Sequence, residues 1–173
     1  IEVRGFRGVL NSTTNVVLEG MEAGMTFEES VRQAQKLGVA ESDPTDDIEG
    51  VDAAVKVIAL ANVLMNAGLK LDDVSRQGIG GITAEQLREA RASGEAWKLV
   101  CGARRAEDGR VVASVAPRRL KLSDPLAQVK GTSSVISFET DVFPELILTE
   151  QDPGLEATAY GLLADFLTAV RSS

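Results

Sequence analysis

The 173-residue sequence contains no histidine. That removes Ser–His and Cys–His nucleophilic machinery and every metal site built on imidazole. One cysteine, Cys101, is present, so no internal disulfide can close. It ends the apolar run Trp97-Lys-Leu-Val-Cys101 and reads as a small buried hydrophobe rather than a reactive thiol. Aromatic residues make up only 4%, which leaves aliphatic side chains to build the core. No apolar run approaches the roughly 20 residues that a membrane span needs. A signal-peptide pattern is also missing, and the expectation is a cytoplasmic protein. Basic charge is in deficit: the net charge is −8, which argues against nucleic acid as a partner, because phosphate binding needs clustered Lys and Arg. The chain opens on Ile1-Glu-Val-Arg4 rather than Met, as a segment from within a longer protein would.

An apolar fraction of 44% and a charged fraction of 25% suit one globular domain with a real core. Ile1 to Leu10 reads as a strand that ends in a loop. Asn11-Ser-Thr-Thr-Asn15 before Val16-Val-Leu18 is a helix start, with the helix running to about Met21 and stopping near Gly24. Thr26-Phe-Glu-Glu29 is a capping box. It opens a second helix with Phe27, Val31, Ala34 and Leu37 on one face, ended by Gly38. An acidic loop, residues 39–50, leads to the longest helical pattern, Val51 to Met65, whose apolar composition predicts a central buried helix. Thr83 opens another helix that ends at Gly94. Trp97 to Arg104 and Val111 to Arg118 read as strands joined by a hairpin turn at Glu107-Asp-Gly109. Val135 to Thr140 and Glu145 to Thr149 are two more strands, and Leu155 to Val170 is a closing amphipathic helix. The order of elements predicts an α+β fold: a mixed or antiparallel sheet with helices on one face. Gly78-Ile-Gly-Gly81 lacks the spacing of a dinucleotide-binding turn.

Chemistry concentrates between Glu41 and Lys56. Asp52 and Lys56 are the only charges on a largely apolar helix, four residues apart and so on one face. A charge on such a helix either pairs or faces a cleft. Glu41 and Asp47, from the acidic loop, can reach the same cleft. Carboxylates beside a lysine suit a small zwitterion, the carboxylates holding an ammonium group and the lysine acting as donor or proton shuttle. Plainer readings stand beside this one. Asp52–Lys56 is equally an i,i+4 surface pair, and the loop a solvated turn around Asp43-Pro44. The loop also offers carboxylates to a divalent cation, without EF-hand spacing.

Longer motifs carry a resemblance. Asn11-Ser-Thr-Thr-Asn15, Ala34-Gln-Lys-Leu-Gly-Val-Ala-Glu-Ser-Asp-Pro44, Asp47-Ile-Glu-Gly-Val-Asp52 and Lys56 follow one another in this order. They resemble the homoserine dehydrogenase signature: Asn-Gly-Thr-Thr-Asn, then Ala-Gln-x-Leu-Gly-Tyr-Ala-Glu-x-Asp-Pro, then Asp-(Ile/Val/Leu)-x-Gly-x-Asp and a lysine four residues on. Asp73 to Ile82, Trp97-Lys-Leu, Val115-Ala-Pro117, Asp124-Pro-Leu-Ala-Gln-Val-Lys-Gly131, Thr158-Ala159 and Ala164-Asp165 extend the likeness over nearly the whole chain. All of it resembles the catalytic and dimerisation part of that family, without the N-terminal NAD(P)-binding Rossmann domain.

The resemblance implies an NAD(P)-dependent oxidoreductase of amino-acid biosynthesis that interconverts aspartate 4-semialdehyde and homoserine, works as a homodimer, and binds its cofactor mainly through the domain absent here. It places Lys56 and Asp52 at the reacting carbon, Lys56 as acid–base group beside a second lysine from the nucleotide domain. Glu41 and Asp47 would bind the amino and hydroxyl end of the substrate. Thr13 and Thr14 would lie near it through their backbone, and Gly154 near the cofactor. Val135, Ile136, Phe138, Leu146, Ile147 and Leu148 are candidates for dimer contact or, equally, for core packing. Three positions depart from the pattern. Ser12 replaces a glycine, Ser133-Ser-Val135 replaces Asn-Ala-Val, and Thr149-Glu-Gln-Asp-Pro-Gly154 replaces Gly-x-Gly-Ala-Gly. They leave two further readings open: a paralogue acting on another small carbonyl or hydroxy amino acid, and a non-catalytic ligand-binding or dimerisation module.

Overall fold

The computed structural model describes residues 1–171. Strands β1 (Val3–Val9), β2 (Val74–Arg76), β3 (Glu95–Arg105), β4 (Val111–Lys121), β5 (Ser134–Thr140) and β6 (Leu146–Glu150) form one sheet. Their order across it is β2-β4-β3-β1-β5-β6. Only β2–β4 is parallel; every other pair is antiparallel. Helices α1 (Ser12–Glu22), α2 (Phe27–Lys36), α3 (Thr45–Ile48), α4 (Val51–Met65), α5 (Ala84–Ala92) and α6 (Leu155–Arg171) complete the fold. This is the mixed sheet of an α+β protein that the sequence predicts.

Local chemistry accounts for the helix boundaries. Asn11 caps α1 by accepting from Thr14 N, and Thr26 caps α2 in a reciprocal box with Glu29. Backbone and hydroxyl donors of Thr26 hold the Glu29 carboxyl below its ordinary range. Thr83 and Gln86 form the equivalent box on α5. The β3–β4 hairpin turns at Gly109, where φ is +82°, and pairs residues 95–105 with 121–111. Pro117 interrupts nothing, because β2 pairs β4 only at Ala113 to Val115 and Pro117 lies on the edge beyond.

Opposed residues in the ladders share a face, so the register sorts the core. Phe6, Leu99, Cys101, Ala103, Ala113 and Val115 pack against Val17, Leu18, Met21, Ala53, Ala54, Val57 and Ala61 of α1 and α4. On the opposite face Val9 and Val135 meet Leu126 and Val129, carried by a 3₁₀ turn over Pro125–Gln128. Cys101 is 1% exposed, and burial pushes its thiol pKa up to about 12.

Three local expectations are corrected. The acidic loop contains the one-turn helix α3. Helix α4 is not buried all round: Ala53, Ala54, Val57, Ala61 and Met65 face the sheet, while Val55 and Val63 are 54% and 81% exposed. The predicted apolar face of α2 buries Ala34 fully, but Leu37 becomes the C-cap and is exposed. Among the dimer candidates Val135 is buried with Val9, Leu126 and Val129, Ile136 and Phe138 pack against the core on the other face, and Leu146, Ile147 and Leu148 on β6 are exposed. The apolar side chains Tyr160, Leu162, Leu163, Phe166 and Val170 of α6 are also exposed.

Candidate active site

The site forms where α1, the 39–50 loop and α4 converge. Gly50 produces the convergence. It joins α3 to α4 in the left-handed region at φ +75°, where an added Cβ would lie 3.1 Å from Val115 Cγ1. The reversal there brings Asp47 of α3 and Asp52 of α4 to the same side. Behind it, Gly78 packs on the α3–α4 corner, letting Ile79 N donate to the Ile48 carbonyl at 2.9 Å; an added Cβ at 78 would stand 2.3 Å from that oxygen.

Lys56 Nζ lies 2.8 Å from Asp52 Oδ2 and donates to the Leu10 carbonyl at 2.9 Å. An ammonium has three N–H donors, so one is left for a ligand. The Lys56 and Asp52 side chains are 46% and 36% exposed, open to a cavity of about 510 Å³. Asn11, Thr13, Glu41, Asp43, Asp46, Asp47, Val51, Asp52, Val55 and Lys56 contribute to its wall. The cavity therefore holds one ammonium against a wall of carboxylates. It is large enough for a small amino acid, and its carboxylates suit an ammonium end.

The structure thus brings Asp47, Asp52, Lys56, Glu41 and Thr13 to one cavity. Thr13 Oγ1 donates to the Val39 carbonyl at 2.7 Å, fastening α1 to the start of the acidic loop. Gln35 Nε2 donates to the Glu41 and Ser42 carbonyls and fixes the next residues. Asp43 accepts from Thr45 Oγ1 and N, which lower its pKa from the ordinary value and close the turn into α3. Thr14 is buried at 1% exposure behind the cavity wall, its hydroxyl donating to Asn11. Gly154 lies outside the cavity, between β6 and α6.

Two residues of consequence were not foreseen in the sequence. Asn11 sits in the cavity wall at 5% exposure and donates to both Asp47 and Asp52. Its helix-capping role was legible, but these contacts were not. Lys98 on β3 is 4% exposed and donates to Asn15 Oδ1 and the Val129 carbonyl, both at 2.5 Å, with Glu19 Oε1 at 3.3 Å. Burial lowers its pKa, with Glu19 opposing the shift.

The homoserine dehydrogenase family model matches residues 1–167. The chain belongs to the homoserine dehydrogenase family. An NAD(+)-dependent homoserine dehydrogenase of Pseudomonas canavaninivorans is 41% identical over 165 residues, covering 95% of this chain and 47% of that protein. The Methanocaldococcus jannaschii homoserine dehydrogenase is 39% identical over 99% of this chain and 50% of its own length. The crystal structure of S. aureus homoserine dehydrogenase superposes with a TM-score of 0.87 at 35% identity, covering 98% of this chain and 42% of that one. A hyperthermophilic archaeal homoserine dehydrogenase in complex with NADPH gives a TM-score of 0.77 at 28% identity, over 99% of this chain and 49% of that one. The chain spans about half the length of these homoserine dehydrogenases.

The departures from the homoserine dehydrogenase pattern pair with one another. Ser133 Oγ donates to Asp152 Oδ1 at 3.3 Å and accepts from Asp152 N at 3.0 Å. Ser134 Oγ donates to Glu150 Oε2 at 3.3 Å. The serines of one segment thus satisfy the acids of the other, and Asp152 is held at φ +43°. Ser12 donates to the Thr132 carbonyl at 3.0 Å, tying α1 to the same region.

Proposed function

We propose that this chain is the substrate-binding and catalytic half of a homoserine dehydrogenase that interconverts aspartate 4-semialdehyde and homoserine with NAD(P). The observation that carries the reading is the Lys56 ammonium, held by Asp52 and the Leu10 carbonyl at the rim of a carboxylate-walled cavity. Glu41 and Asp47 hold the substrate ammonium group by charge-assisted hydrogen bonds. The third N–H of Lys56 donates to the substrate oxygen, giving up a proton as the carbonyl becomes a hydroxyl and recovering it in reverse. Asp52 fixes the direction of the ammonium. The Thr13 and Thr14 backbone forms the floor nearest the substrate.

The nicotinamide, when bound, supplies or accepts the hydride at the reacting carbon. The fit to this cofactor is one-sided: the chain carries no Gly-x-Gly-x-x-Gly turn, and at Gly154 the Glu156 carboxylate stands 2.7 Å from where a Cβ would lie. A Rossmann domain elsewhere in the polypeptide then binds the dinucleotide, and residues 1–173 form the catalytic and dimerisation domain. The exposed apolar side chains of α6 are the surface on which that other domain packs, and Leu146, Ile147 and Leu148 on β6 belong to the homodimer contact. Among the described residues no helix is long and apolar enough to cross a membrane.

One observation favours a second reading, a paralogue acting on a different small hydroxy amino acid. The acidic 149–154 loop is anchored to Ser133 and Ser134 rather than left as flexible glycine backbone. The test is NADP⁺- and NAD⁺-linked oxidation of homoserine by the full-length gene product. Turnover establishes the homoserine reading. A folded protein that binds dinucleotide yet leaves homoserine untouched overturns it in favour of the paralogue.

A further inference from the structure

The Asn11 carboxamide is fully committed. Its Oδ1 accepts from Thr14 N at 2.8 Å and from Thr14 Oγ1 at 2.9 Å, capping α1. Its Nδ2 donates one hydrogen to Asp47 Oδ1 at 2.6 Å and the other to Asp52 Oδ2 at 2.9 Å. An amide has two donor hydrogens and two lone pairs, and all four are used. The helix N-terminus admits only an acceptor, so the amide has one permitted orientation, with its NH₂ toward the carboxylates. Asp47 and Asp52 lie on different helices and would repel; a shared donor between them removes part of that repulsion. Asp52 Oδ2 also meets Lys56 Nζ, and Lys56 Nζ meets the carbonyl of the residue just before Asn11. The two-residue step Leu10–Asn11 therefore holds the lysine with its backbone and the two carboxylates with its side chain.

We infer that Asn11 is a positioning residue: its amide acts through Asp47 and Asp52 to set the Lys56–Asp52 geometry, beyond its role as a helix cap. This inference rests on the dehydrogenase reading for its effect on turnover, but not for the clamp itself. Charged groups facing the clamp are Asp47 on α3 and Asp52 and Lys56 on α4, with Glu41, Asp43 and Asp46 on the same cavity wall. Cys101, from the sheet side, is neutral at working pH.

Asn11→Asp separates clamp from cap. Aspartate caps a helix as well as asparagine does, but it offers the two carboxylates a third carboxylate in place of a donor. In the full-length enzyme at pH 8, kcat/KM for homoserine should fall on the order of 10- to 100-fold, the scale of losing hydrogen bonds to ionised groups. Protonation of the carboxyl introduced at position 11, favoured by the two carboxylates beside it, restores an O–H donor. The ratio of variant to wild-type kcat/KM should therefore rise as pH falls toward 5.5. Asn11→Ser keeps a short cap and leaves one O–H on a shorter side chain in place of the two N–H donors that bridge Asp47 and Asp52, without adding charge, so it should lower kcat/KM with a flat ratio across pH. A pH-independent ratio for Asn11→Asp, or a loss under about 2-fold at pH 8 for either variant, overturns the inference.

A second readout needs no turnover. With asparagine-selective ¹⁵N labelling, the Asn11 side-chain amide protons should move in Asp47→Asn and in Asp52→Asn, because each change replaces an ionised acceptor by a neutral one. Amide protons unmoved by either substitution refute the clamp. Responsive protons in an enzyme inert toward homoserine would support the clamp and sink only the dehydrogenase reading.

Discussion

Lys98→Met asks how an ammonium is tolerated beneath α1. Its side chain is 5% exposed, and its nitrogen serves Asn15 Oδ1, the Val129 carbonyl and Glu19. Asn15 and Glu19 in turn hold Gly131, through Nδ2 to its carbonyl at 2.9 Å and Oε2 from its N–H at 3.0 Å. Methionine keeps the aliphatic stem and deletes the charge. Each buried acceptor left without a donor costs about 1–3 kcal/mol. Relief of the buried charge offsets part of this, so the net loss should be about 3 kcal/mol, near the lower bound for removing one partner of a buried pair. For a domain of this size that lowers Tm by roughly 6–12 °C. The pH dependence gives a second check. Burial lowers the folded-state pKa of Lys98 below its ordinary 10.5. Between the two values the unfolded chain binds more protons than the folded one, so stability rises with pH through that window. Lys98→Met should lose this rise. Thermal and urea unfolding followed by Trp97 fluorescence, at pH 7 and at steps up to 10.5, measure both effects. A Tm change under about 2 °C at pH 7, or an unchanged alkaline slope, would refute the assigned network.

Three further outcomes follow from the geometry. Gly50→Ala forces a side chain into φ +75° and toward Val115 Cγ1, and should cost about 1–2 kcal/mol by thermal unfolding, with weakened homoserine oxidation. An unaltered Tm would remove the left-handed turn from the account. Cys101 should resist alkylation at pH 8 in the folded protein and react on unfolding, since it is 1% exposed and its thiol pKa stands at about 12; rapid native labelling would contradict its placement. Ile147→Asp on exposed β6 should shift sedimentation toward monomer, whereas a dimer that persists unchanged would exclude β6 from the contact.

Elements whose determinants are local were legible in the sequence. The Asn11 cap, the Thr26–Glu29 box and the Glu107-Asp-Gly109 hairpin all follow from neighbours within a few residues. The i,i+4 spacing likewise announced the Asp52–Lys56 contact. What escaped depends on distance along the chain. Asn11 meets carboxylates 36 and 41 residues away, and Lys98 meets Glu19 79 residues away. No periodicity encodes such pairs. Hydrophobicity also states that a face is apolar without stating what covers it. Val63 lies on the helix whose composition predicts burial and is 81% exposed, and Leu162 on the apolar face of α6 is 70% exposed. The short helix α3 was hidden because a run of acids around a proline looks like a solvated turn until Asp43 is seen closing on Thr45.

The proposed dehydrogenase reaction has Lys56, steadied by Asp52, move the proton. Its most direct test is single-turnover oxidation of homoserine by full-length wild-type protein and by Lys56→Ala, with binding of homoserine measured separately by calorimetry. The account predicts that Lys56→Ala lowers kcat by on the order of 10²-fold or more, the usual scale for a general acid–base group, while binding of homoserine is largely kept. A variant that turns over at close to the wild-type rate would contradict the assignment and return Lys56 and Asp52 to the status of a surface ion pair.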